Sequence, residues 1–128
     1  MNKIGVAINS LFGNIISMGM SSSIGIEIGS IGINTPHHIR YSYIYFSGTK
    51  IRGIRAGEGK TISFNFTSKV KKGELRMQIM NPDQVSPIQL AVGITGTSDI
   101  KTQNIGIYKL VISGTNTEGG FDISWVVK

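Results

Sequence analysis

The groups in this chain best suited to binding a partner by charge are eight basic residues close together in sequence. Lys50, Arg52, Arg55, Lys60, Lys69, Lys71, Lys72 and Arg76 fall between positions 50 and 76, and Tyr41, Tyr43 and Tyr45 precede them. On one exposed face these ammonium and guanidinium groups would form an anion-binding surface, with the tyrosine rings as stacking platforms for an anionic polymer or single-stranded nucleic acid. The same residues also have a structural use, because lysine guards edge strands and tyrosine fills sandwich cores. A formal net charge of +6 suits an envelope polymer, a lipid head group or nucleic acid.

Other chemistries find less support. His37 and His38 are the only histidines, and neighbours along a strand point to opposite faces, so they do not readily share a metal ion. No Asp, Glu or Cys stands near them at a metal-ligand spacing, which reads them as surface loop. The chain has no cysteine, so disulfides, thiolate metal sites and a cysteine nucleophile are excluded together. No serine sits in a Gly-x-Ser-x-Gly elbow, and the seven acids are scattered, with Glu58 and Glu74 beside basic turns. Ile24-Gly25, Ile28-Gly29 and Ile31-Gly32 look like a phosphate-cradling loop until their setting is read. A nucleotide fingerprint needs its glycines between strand and helix, and here strand alternation continues through them. The expectation is a protein that is not an enzyme and has no catalytic, metal or cofactor site.

These side chains must be positioned by strands. At 128 residues the chain has the size of one domain and can bury roughly two-thirds of its unfolded surface. Glycine is abundant at 17 residues, isoleucine is frequent and leucine scarce, a balance that favours strands and turns. Ile24, Ile26 and Ile28 alternate, and Gly29-Ser30 before Ile31 and Ile33 predicts either a tight hairpin or a bulge. Tyr41 to Phe46 predicts a strand, Ser47-Gly48 a turn, and Lys50 to Arg55 the next strand. Ile62, Phe64 and Phe66 alternate with polar residues. Lys71-Lys72-Gly73 predicts a turn before Leu75, Met77 and Ile79 face inward, and Asn81-Pro82-Asp83 ends that strand. Residues 84–104 read as irregular with a short strand at Ile88 to Ile94. Two closing strands, Ile105 to Ser113 and Gly120 to Val127, flank a hairpin loop from Gly114 to Gly119, with Tyr108, Leu110, Ile112, Phe121, Ile123 and Trp125 facing the core.

The first third is less regular. Ile8, Leu11, Phe12, Ile15 and Ile16 have helical spacing and predict a short helix over 8–19, with a loosely packed strand as the other reading. Met1-Asn2-Lys3 before an apolar run resembles a signal peptide, but Asn9, Ser10, Asn14 and Ser17 interrupt the run and no small-x-small cleavage site follows. Retention of this segment is therefore expected. No stretch has the ~18 to 20 clean apolar residues of a membrane span.

The second half has a family likeness. Glu58-Gly59-Lys60-Thr61-Ile62-Ser63-Phe64 leads into Lys69-Val70-Lys71-Lys72-Gly73-Glu74-Leu75, and Asn81-Pro82-Asp83 follows. The chain closes with Tyr108-Lys109-Leu110-Val111-Ile112-Ser113-Gly114 and Gly119-Gly120-Phe121-Asp122-Ile123-Ser124-Trp125. Over residues 45–127 this resembles the small β-sandwich modules of Gram-positive envelope proteins and uncharacterised lipoproteins. It is more distantly similar to bacterial pre-peptidase C-terminal domains. The resemblance implies a jelly-roll-like sandwich with an accessory binding or structural role, and it supplies no catalytic residues. The lipoproteins carry a lipidated cysteine near their start, and this chain has none.

The expectation is thus an all-β protein of one domain, an antiparallel jelly-roll-like β-sandwich with its core in 41–127 and a less defined segment over 1–34. Functionally it reads as a non-enzymatic binding or structural module that engages an anionic or carbohydrate cell-envelope surface through its basic face. That places it outside the cell or in the envelope, with a cytoplasmic setting left open. Two other readings stand beside this one. The first is a nucleic-acid-binding β-protein, and the second a self-associating or membrane-active protein using the Gly/Ile-rich segment 4–33.

Overall fold

Apolar–polar alternation runs further along this chain than its glycine-marked turns suggest, and the strands follow the alternation. The computed structural model describes residues 21–83 and 87–128. Its regular elements are the strands β1 (Ser21–Ile28), β2 (Ile31–Thr35), β3 (His38–Ala56), β4 (Thr61–Met80), β5 (Ile88–Leu90), β6 (Thr95–Lys101) and β7 (Gly106–Val127). Every pairing is antiparallel, as an all-β sandwich requires. The helix expected over 8–19 lies outside the described residues.

Three expected turns are not turns. Ser47-Gly48, Lys71-Lys72-Gly73 and Gly114 to Gly119 lie inside β3, β4 and β7, which run on for 19, 20 and 22 residues. The register instead slips at Tyr43/Phe46 and Phe46/Gly48 in β3, and at Val70/Lys72 and Lys72/Glu74 in β4. A bulge bends a strand and deepens its twist without reversing it. Glycine and polar residues therefore mark bends here, and local composition does not distinguish a bend from a hairpin.

These bends fold each long strand across both layers. In β3 the Lys50 ammonium lies 4.1 Å from the centre of the Tyr41 ring, although nine residues of straight strand span roughly 30 Å. Arg52 lies 5.7 Å from the Trp125 ring centre and donates to Asn34 Oδ1 at 2.7 Å, again joining opposite layers. One layer contains β2, residues 38–43 of β3, 119–127 of β7, 61–70 of β4, and β6. The other contains β1, residues 46–56 of β3, 106–117 of β7, 72–80 of β4, and β5. Gly29-Ser30 closes neither a hairpin nor a bulge. It carries the chain between layers, since β1 and β2 each pair with β3. The segment 84–104, expected to be mostly irregular, holds both β5 and β6.

The inward faces form one apolar core. Ile39, Phe46, Ile62, Phe64, Met77, Ile79, Tyr108, Leu110, Ile112, Phe121, Ile123 and Trp125 are all buried in it, including every closing-strand residue expected to face inward. Tyr41 and Tyr43 pack against Phe121, with ring centres 5.7 and 6.4 Å away. Inside this core the Tyr43 hydroxyl and Thr117 Oγ1 are buried facing one another, and among the described residues neither has another hydrogen-bond partner. Burial pushes the Tyr43 phenol above its ordinary pKa.

At the open edge, Lys50 binds β1 to the sandwich. Its ammonium pairs with the Glu27 carboxylate and donates to Ser23 Oγ at 3.3 Å. Burial alone would raise the Glu27 pKa, but hydrogen bonds from Lys50 and Ser30 and the Lys50 charge outweigh it, so the carboxyl titrates below its ordinary 4.5.

Two outcomes are expected from this packing. Replacing the two facing hydroxyls together (Tyr43→Phe with Thr117→Val) removes their desolvation cost and raises stability by about 1 kcal/mol. Urea denaturation measures it, and a lowered midpoint would count against this account of the core. Glu27→Gln leaves Lys50 without its carboxylate and costs about 2 kcal/mol near neutral pH. Because the folded pKa is depressed, the stabilisation is present above 4.5 and is lost as pH falls through the lower folded value. Melts of the wild type and Glu27→Gln should therefore converge in acid; a constant gap would show that charge is not the cause.

Candidate functional site: a basic groove at the sheet bend

Strand alternation sends Tyr41, Tyr43 and Phe66 inward and leaves Arg40, Ser42, Thr67 and Lys69 exposed on the outer side of their layer. The strand between β3 and β4 is β7, and there Ser42 and Lys69 both face Gly120. With no side chain on the middle strand, a groove of about 610 Å³ opens, walled by Arg40, Ser42 and Ile44 on one side and Thr67, Lys69 and Lys71 on the other. Its floor is Gly119-Gly120. Gly119 has φ 146°, and a Cβ there would collide with the Lys69 carbonyl oxygen, so the floor stays bare for reasons of backbone packing.

A second depression adjoins the first. β6 covers β4 from Thr61 to Thr67 and β5 covers it from Met77 to Ile79, so among the described residues no strand covers 68–76 on that edge. Here a notch of about 620 Å³ is lined by Ser68, Lys69, Glu74, Arg76, Val92 and Thr115, among others. The Gly93 N–H donates to Ser68 Oγ at 2.8 Å and fixes the loop beside it. Lys72 and Glu118 make a loose ion pair of 4.0 Å at the bend. Hydroxyls, ammonium groups and open backbone edge can all hydrogen-bond a hydroxylated, negatively charged ligand.

The eight basic residues divide by position. Lys69, Lys71 and Arg76 meet at the groove and notch, with Lys72 close by. Lys50 is buried and Arg52 half-buried between the layers, where burial lowers the Arg52 pKa although Tyr41 acts against the shift. Arg55 and Lys60 are exposed at the far end of the sheet, Lys60 roughly 30 Å along the chain from Lys69. The Tyr43 ring is in the core and the half-buried Tyr41 ring packs against it, while Tyr45 bonds Asn116 Oδ1 at 2.7 Å. Arg40 and Glu118 lie outside the basic run read from the sequence, and the glycine floor reads there as the end of a hairpin loop. Adjacent glycines inside a strand mark close approach by another group, but that signal is usable only once 119–120 is known to be strand.

His38 is also differently placed. It opens β3 rather than lying in a loop, and its Nε2 stands 2.5 Å from Asp122 Oδ1. Ser124 faces it across the ladder. Among the described residues no three His, Cys, Asp or Glu side chains cluster as metal ligands.

No protein-family model matches the chain, and no curated protein matches it either. Solved structures do. A family 61 carbohydrate-binding module, TmCBM61 in complex with β-1,4-galactotriose, superposes with a TM-score of 0.53 at 9% identity, covering 91% of this chain and 92% of that one. The enzymatically active domain of bacteriophage CBA120 tailspike protein 4 superposes with a TM-score of 0.50 at 11% identity, covering 84% of this chain but only 19% of that one. Identities this low speak to architecture: the fold is a β-sandwich of the kind found in carbohydrate-binding modules.

Proposed function

We propose that this protein is a non-enzymatic carbohydrate-binding module whose ligand is an acidic polysaccharide. The observation that carries the reading is the groove itself, in which Arg40, Lys69 and Lys71 surround a bare Gly119-Gly120 floor. A shallow floor without side chains admits a sugar ring, and cations on both walls select for carboxylate or sulfate groups. The fold likeness to a module whose structure holds β-1,4-galactotriose supports the carbohydrate half of the proposal. The acidic half rests on the net charge of +6 and on the groove's own cations. An extracellular or envelope setting goes with that ligand, since such polymers lie outside the cytoplasm.

The test is affinity electrophoresis through gels containing polygalacturonate, neutral galactan or no polymer. Retardation by polygalacturonate alone is expected. Lys69→Ala with Lys71→Ala should weaken it about tenfold, as loss of charge-assisted hydrogen bonds implies. Equal retardation by neutral galactan would remove the acidic part of the proposal. Binding to a single-stranded oligonucleotide as tight as to polygalacturonate would overturn the carbohydrate reading in favour of nucleic acid.

A further inference from the structure

The groove and the notch are not separate places. Ser68 and Lys69 line both, so together the two depressions form one path. It starts at Arg40 on β3, crosses the glycine floor of β7, passes over Lys69 on β4 and descends to Arg76 along the 68–76 edge, which no strand covers among the described residues. Crossing from β3 to β4 takes about 10 Å at ordinary strand spacing, and the run along β4 adds more. That is longer than one or two sugar rings require.

The charges along the path are spaced rather than crowded. Arg40, Lys69, Lys71 and Arg76 supply the cations, while Glu74 and Glu118 stand among them. Two carboxylates on the path oppose any polyanion, and a phosphodiester backbone brings them few hydroxyl donors in return. A polysaccharide with one carboxylate per residue meets cations at intervals and offers hydroxyls to Glu74, Glu118 and the open backbone edge between them. Resting on the function proposed above, we infer that the site is an extended one for a linear polyuronate, held at Arg40 and Arg76 together.

This predicts length dependence with a defined spatial origin. Titration calorimetry with (1→4)-linked galacturonate oligomers, from disaccharide to octasaccharide, should show affinity rising at least about tenfold until both ends of the path are occupied, as linked contacts require. Arg40→Ala and Arg76→Ala should each weaken the octasaccharide several-fold, and Arg76→Lys should restore most of the loss. Unchanged thermal melts would show that the variants stay folded. If Arg76→Ala leaves octasaccharide binding intact while Arg40→Ala weakens it, or if affinity ignores length, the extended path is wrong and the groove alone binds. If no oligomer of any length binds, the acidic-carbohydrate reading falls as well.

Discussion

Phe46 has room for its ring because Gly114, beside it on β7, carries no side chain. It is fully buried at the bend of β3, and a Cβ on Gly114 would stand 2.5 Å from its ring. One row along the sheet, Gly25, Gly48 and Gly114 lie side by side across β1, β3 and β7. A Cβ on Gly48 would strike the backbone of β1. This glycine row lets neighbouring strands bend at one level, and the Phe46 ring fills the inside of the bend.

Making both layers from the same strands has consequences for the interior. Where the layers meet at the open edge, their inner faces are not fully apolar: Lys50 and Arg52 reach in from β3 and rest on Tyr41 and Trp125. An aromatic face partly compensates a desolvated cation, and Glu27 supplies the countercharge for Lys50. These two cations therefore hold the first-layer edge to the second, a task that leaves them unavailable to a ligand on the outer face.

The sequence is read well where side-chain period decides structure. Ile62, Phe64 and Phe66 alternate unambiguously, and burial on one face was legible, as it was for Phe121, Ile123 and Trp125. It is read poorly where glycine decides it. Ser47-Gly48 and Lys71-Lys72-Gly73 satisfy the local chemistry of a turn, yet only the neighbouring strands determine whether the chain reverses or bends. β6 was missed for a related reason: in Thr95–Lys101 only Ile100 is buried and apolar, so the strand exists because β4 offers it an edge rather than because of its own pattern. The basic residues followed the same logic. Closeness along the chain put eight of them in one group, whereas the folding of β3 moves Lys50 and Arg52 inward, and the pairing of β3 and β4 with β7 sets Arg40, ten residues before Lys50, across the groove from Lys69.

The groove owes its existence to the same device as the core. Gly119 is bare because the backbones of β7 and β4 approach closely where the register slips, and that slip belongs to the bend. A side chain there would disturb the layer crossing and fill the groove in one stroke. Function and fold are therefore not separable at this position: the site is the outer side of the bend whose inner side holds Phe46. Charge then specialises what geometry has opened. Lys69 and Lys71 are placed outward by alternation on either side of Val70, and both stand at the groove wall. A flat sheet with the same residues would present its cations as a dispersed surface, whereas the bent one gathers them around a floor.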